Sequence, residues 1–102
     1  MAEVFYSRRA EEDYLSIGQF TLRTWGPIQA DLYLTEIEDC FLRLAENPSL
    51  GRACDAIRPG LRRIEQGKHV IFYRQHAKGI LVSRILHQSM LPTRHPMDDE
   101  QP

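Results

Sequence analysis

Apolar residues in the first half of the chain recur at steps of three and four, and in the second half at steps of two. Ala10, Tyr14, Ile17, Phe20 and Thr21 mark one face of a helix that runs to Trp25. Ser7 stands at its N-cap position, and Glu11, Glu12 and Asp13 suit the positive end of the helix dipole, whereas Arg8 and Arg9 do not. Gly26-Pro27 stops this helix and opens a second, because proline is pre-set for the first helical position. Ala30, Leu34, Ile37, Phe41 and Leu44 form the second stripe, and Asn47-Pro48 ends it. So tight a turn predicts an antiparallel helix hairpin.

Glu3-Val4-Phe5-Tyr6 ahead of the hairpin is strand-like. After a loop over residues 49–60, punctuated by Gly51 and Pro59-Gly60, three more strand-like runs follow at 61–65, 69–74 and 79–87. Short turns between them predict an antiparallel meander. The fold expected is therefore α+β: an N-terminal strand and an antiparallel two-helix hairpin packed on one face of a small, mainly antiparallel sheet. One domain over residues 1–90 accounts for every periodic segment. Residues 91–102, with Pro92, Pro96 and a terminal "DDEQP", are expected to be irregular and to fray.

Pairing Glu65 with His69 and Arg74 with Ile80 sorts the strands by face. Arg62, Ile64, Val70, Phe72, Arg74, Ile80, Val82, Arg84 and Leu86 then share one side. Leu61, Arg63, Glu65, His69, Ile71, Tyr73, Leu81, Ser83, Ile85 and His87 share the other. A one-residue slip at either turn moves a whole strand across. Both faces are apolar, yet one hairpin covers only one of them. The second needs a partner chain, or the C-terminal tail folded back over it.

Charge sharpens this picture. Residues 1–51 hold four arginines against nine carboxylates, and residues 52–97 hold nine cations against two carboxylates. All four histidines also lie in the basic part. Arg58, Arg62, Arg63, Lys68 and Arg74 crowd the first two meander strands, which points to an acidic or polyanionic partner. Arginine binds carboxylates and phosphates but is a poor proton shuttle, and on the expected register His69, Tyr73 and His87 face away from Arg62, Arg74 and Arg84. The two cysteines, Cys40 and Cys54, lack metal-site spacing and read as free thiols of a reducing compartment. With no apolar run long enough to span a bilayer and no signal-peptide core in "MAEVFYSRR", a cytoplasmic protein is expected.

Several stretches resemble the ParE branch of the RelE/ParE toxin superfamily. They are "AEEDYLSIGQFTLRTWGPIQADLY", "LAENPSLGRACDAIRPGLRR", "KHVIFYR" and "GILVSRILHQSM", and together they span roughly residues 4–90. The likeness fails at the end, where Met90 is followed by Leu91 rather than the usual aspartate. The resemblance implies a type II toxin neutralised by a ParD-like antitoxin, a DNA-binding protein that orders an acidic, amphipathic segment on the toxin. It implies no cofactor or metal, contact with nucleic acid only through the antitoxin, and inhibition of DNA gyrase by protein binding rather than catalysis. The alternative is a RelE-like endoribonuclease that cuts mRNA on the ribosome, although no tyrosine follows Tyr73 to match the usual C-terminal one.

The candidate antitoxin contacts are Arg58, Arg62, Phe72, Arg74, Val82 and Arg84. Arg58 is held extended by Pro59, and a salt bridge to Asp55 is its competing role. Arg84 lies between Val82 and Leu86, where pairing with a helix carboxylate competes with docking. The candidate target contacts are Trp25 at the hairpin bend, His87 and Met90, set against a core plug for Trp25 and a hydrogen-bonded structural role for His87.

Overall fold

The computed structural model describes residues 2–90 and 92–101. Strand β1 (Glu3–Tyr6) leads into helix α1 (Arg8–Trp25) and helix α2 (Pro27–Glu46). A 3-10 turn (Pro48–Leu50) follows, then strands β2 (Arg52–Ala53), β3 (Leu61–Gln66), β4 (His69–His76) and β5 (Gly79–His87). A second 3-10 turn covers Pro92–Arg94. The five strands lie in the order β1-β5-β4-β3-β2. All neighbours are antiparallel except β1, which runs parallel to β5 after the helical crossover. The α+β architecture thus matches the expected one, with β2 as an added edge strand.

Gly26 explains the sharpness of the hairpin. With φ at 88° it ends α1, where its N–H bonds Leu22 O, and begins α2 with Pro27 next in line. Ala30, Ile37, Cys40, Phe41, Leu44 and Ala45 of α2 and Ala10, Ile17 and Thr21 of α1 are buried. They meet Ile71, Tyr73, Ile80, Val82 and Ile85 in the main core. Phe20, placed on the buried stripe by periodicity, is 61 % exposed instead. Thr21, four residues after Ile17, takes the inward position and donates to Ile17 O.

The register differs from the expected one at both hairpins. Gln66, not Glu65, pairs with His69, and Gln75, not Arg74, pairs with Ile80. Each turn is two residues long, Gly67-Lys68 and Ala77-Lys78, so β3 gains one residue over its periodic run and β4 gains two. Gly67 supplies φ of 60° at the first turn position, where a hairpin of this length needs it. Between Phe72 and Tyr73 the pairing jumps from Arg84 to Val82, which leaves Ser83 as a β-bulge. The bulge re-aims β5: Ile80 and Val82 go under the helices, while Leu86 goes to the opposite cluster.

That opposite cluster, Leu61, Val70, Phe72 and Leu86, is also buried, with Cys54 and Met97 packed against it. Its cover comes from the chain itself. Residues 96–100 cross the outer face of the sheet and reach the start of α1. Asp98 N–H donates to Ser83 Oγ at 3.0 Å, Arg8 N–H to Glu100 O at 2.9 Å and Arg9 N–H to Asp98 Oδ2 at 3.0 Å. Of the two covers that the sequence allowed for this face, the tail is the one present. Leu91 and Pro102, at the limits of the expected tail, lie outside the described residues.

Candidate docking face

The cations of the basic half divide between two faces, and the bulge and turn lengths decide how. Arg62 pairs in register with Tyr73 and donates to Gly51 O at 2.6 Å, beside the helical side of the sheet. Val82 is fully buried in the main core. Neither belongs to the outer face, which corrects both as members of one arginine-studded surface. The reason is the same in each case: the register slips by one residue at each hairpin, which carries Arg62 and Val82 to the helical side, while the bulge at Ser83 returns Arg84 and Leu86 to the outer one.

Arg74, Phe72 and Arg84 do lie on the outer face. Arg58 joins them from the loop between β2 and β3. Arg58 and Arg74 both donate to Asp99 Oδ2, at 2.7 and 2.8 Å. Asp55 does not brace Arg58; its carboxylate accepts Gly60 N–H at 2.8 Å and closes the loop locally. Arg84 is only 8 % exposed and grips Asp13 of α1 with two nitrogens, at 2.8 and 3.0 Å. A further Arg84 nitrogen donates to Pro96 O at 3.0 Å. Arg63 lies over the Phe72 ring, 5.4 Å from its centre, and pairs with Glu65, so it screens one edge of the apolar cluster.

The outer face is therefore an apolar floor bounded by guanidinium groups, and each of Arg58, Arg74 and Arg84 holds a carboxylate. Sequence reasoning missed Met97, Asp98 and Asp99. Their signal was present as a run of acids, "MDDE", directly after the basic half. Asp99 Oδ2 takes both arginines while its Oδ1 is buried without a partner. Asp98 loses some solvation by burial, but the Arg9 and Glu100 N–H groups and the Arg9 charge outweigh that and hold its carboxyl below the usual aspartate value.

The proton-carrying side chains sit elsewhere. His69 and His87 pair across β4 and β5, with ring centres 5.4 Å apart and edge to face. The Tyr33 hydroxyl of α2 lies 2.5 Å from His69 Nδ1 and accepts Lys68 N–H at 3.1 Å. Desolvation and the neighbouring His87 push His69 down to about 4, so it stays neutral near pH 7. His87 Nδ1 faces Ser89 Oγ at 2.8 Å, the hydrogen-bonded arrangement weighed against target contact. Among the described residues, no hydrogen bond links a histidine or tyrosine to Arg58, Arg74 or Arg84. Trp25 is 63 % exposed at the hairpin bend rather than plugging the core, and Met90 is exposed after β5.

A two-helix hairpin laid on one face of a five-stranded, mainly antiparallel sheet is also the fold of a solved structure described as the chromosomal ParDE toxin–antitoxin system from P. aeruginosa. The two superpose with a TM-score of 0.70 at 22% identity, over 85% of this chain and 96% of that one. The class is thus an α+β fold shared with that structure. Residues 4–92 match the family described as the ParE toxin of the type II toxin–antitoxin system parDE. Toxin ParE1 of Mycobacterium tuberculosis is 44% identical over 85 residues, 82% of this chain and 87% of its own. Toxin ParE1 of Caulobacter vibrioides is 37% identical over 89 residues, 87% of this chain and 92% of its own. The chain belongs to the ParE toxin family. Among the described residues, no helix is long and apolar enough to cross a membrane.

Proposed function

We propose that this toxin acts by binding DNA gyrase, with no catalysis of its own, and that a ParD-type antitoxin neutralises it. The observation that carries the binding mode is the clamp of Arg58 and Arg74 on one carboxylate above an apolar floor. A face of that kind recognises a protein segment bearing acids and aliphatic side chains. An antitoxin segment that orders on binding meets both needs, since burial and charge pairing together offset its lost entropy.

The same geometry speaks against RNA cleavage. Attack by a 2′-hydroxyl calls for a base that titrates near neutrality beside a phosphate-binding cation. His69 is depressed to about 4 and engaged with Tyr33, and the outer arginines hold carboxylates rather than proton carriers.

The test is a supercoiling assay with purified gyrase, run beside an mRNA cleavage assay on translating ribosomes. Loss of supercoiling that is restored by added antitoxin is the expected result. Intact supercoiling together with cleaved mRNA would replace the reading with the endoribonuclease one.

A further inference from the structure

The segment 96–100 occupies the docking face in the way a foreign segment would. Met97 fills the space against Leu61, Val70, Phe72 and Leu86. Asp99 takes the Arg58–Arg74 clamp, Pro96 O takes Arg84, and Asp98 N–H takes Ser83 Oγ. Each contact joins one short run of the tail to a side chain of the sheet or its loop. The family match ends at residue 92, so this strap lies just beyond the shared domain and uses that domain's surface.

The fit is also incomplete. Asp99 Oδ1 is buried without a partner, and the Arg58 and Arg74 side chains stay 42% and 35% exposed. Ion pairs this open contribute little each, so the strap is held mainly by its tether, by Met97 and by its hydrogen bonds to Ser83, Arg84 and the start of α1. A tethered segment has a high effective concentration at its own site, and a partner must compete with it.

We propose that residues 96–100 are a built-in occupant of the face defined by Arg58, Phe72, Arg74, Arg84 and Leu86. The partner segment has the chemistry of the strap, an aliphatic side chain followed closely by carboxylates, and binds by displacing it. This rests on the reading of the chain as an antitoxin-neutralised toxin and adds the chemistry and the competition. The strap lowers the apparent affinity by the fraction of time that the face is open.

A fluorescein-labelled synthetic peptide carrying residues 93–102 is the probe, read by anisotropy against the full chain. The strap is loosened by Met97→Ser with Asp99→Asn, and separately by Asp99→Asn alone, with circular dichroism checking the fold of each variant. The peptide is expected to bind the loosened chain about tenfold or more tightly than the wild type. Adding Arg74→Glu to the loosened chain should remove that binding. Purified ParD-type antitoxin should then expel the bound peptide. Equal binding to wild type and folded loosened variants, or binding that survives Arg74→Glu, overturns the proposal. Antitoxin that binds the toxin and leaves the peptide seated overturns it too, while leaving the proposed function standing. Antitoxin that does not bind the toxin at all overturns the proposed neutralisation, and with it the assignment of the displacing partner.

Discussion

Asp13 of α1 and Arg84 of β5, 71 residues apart in sequence, meet in a two-point ion pair at 2.8 and 3.0 Å. The Asp13 carboxylate also accepts Ile85 N–H at 3.0 Å. β1 stops opposite Val82, so the edge of β5 beyond it lacks a strand partner, and Asp13 satisfies the first free edge amide. Both side chains are largely buried, at 10% and 15% exposure. Asp13→Ala is therefore expected to cost about 3–5 kcal/mol, since it leaves a buried guanidinium uncompensated. Asp13→Leu with Arg84→Met should recover much of that loss, but not all, because Ile85 N–H stays unpaired. Urea melts with an unchanged slope and shifted midpoint would read both effects.

Tyr73 ties the sheet to the end of α2. Its hydroxyl donates to Pro48 O at 2.7 Å and accepts Gly51 N–H at 2.8 Å, and the residue is wholly buried. Tyr73→Phe keeps the packing and strands both backbone groups, with an expected loss of about 1–3 kcal/mol. Gly51→Ala should cost more. A Cβ there would lie 2.5 Å from the Tyr73 hydroxyl and 2.7 Å from the Arg63 carbonyl, and the latter is backbone that gives way poorly. Thermal unfolding of the two variants should rank them in that order.

Much of this frame was readable because helical periodicity tolerates small errors. Ser7 caps α1 through Ala10 N–H, and Gly26-Pro27 makes the bend, as residue type alone required. Strand faces tolerate none, since one residue inverts a side chain. Val70, Phe72, Arg74, Arg84 and Leu86 were still grouped correctly, because the slip at the β4–β5 turn and the bulge at Ser83 cancel. Arg62 and Val82 had no such cancellation. The strap was illegible for a different reason: an irregular segment leaves no period, and its hold consists of single contacts to distant residues. Even the odd placement of Arg9 at a helix N-terminus makes sense only with the Asp98 carboxylate beside its charge.

His69 gives stability a pH dependence with a definite sign. Its folded pKa, about 4, lies below the ordinary 6.5, mainly through desolvation and then through His87. Between those values the unfolded chain binds the extra proton. The contribution is thus complete above about pH 6.5 and is lost as pH falls toward 4. His69→Gln should flatten the stability curve across that window relative to wild type, and comparing the two removes the background from carboxylates. Parallel curves would mean that burial and His87 do not hold His69 below its ordinary value.

Asp98 links the strap to helix α1 through the same thermodynamics with the opposite kind of group. Ser7 Oγ accepts Ala10 N–H, Asp98 accepts Arg9 N–H and the Glu100 carbonyl accepts Arg8 N–H, so three free donors of the α1 N-terminus are satisfied, two of them by the tail. Burial raises the Asp98 carboxyl, but the Arg9 and Glu100 N–H groups and the Arg9 charge bring it below the usual 3.8. A depressed carboxylate contributes fully above its unfolded pKa and fades as pH falls through the folded one, so the strap stays seated at neutral pH. Asp98→Asn removes the charge at every pH. Amide exchange at Arg8 and Arg9 is then expected to rise about tenfold near pH 6, while Gly26 N–H, bonded to Leu22 O at the far end of α1, stays unchanged. A uniform rise across all three amides would instead mean that the tail supports the whole fold rather than the helix start. The strap could not then leave the docking face without unfolding the domain beneath it.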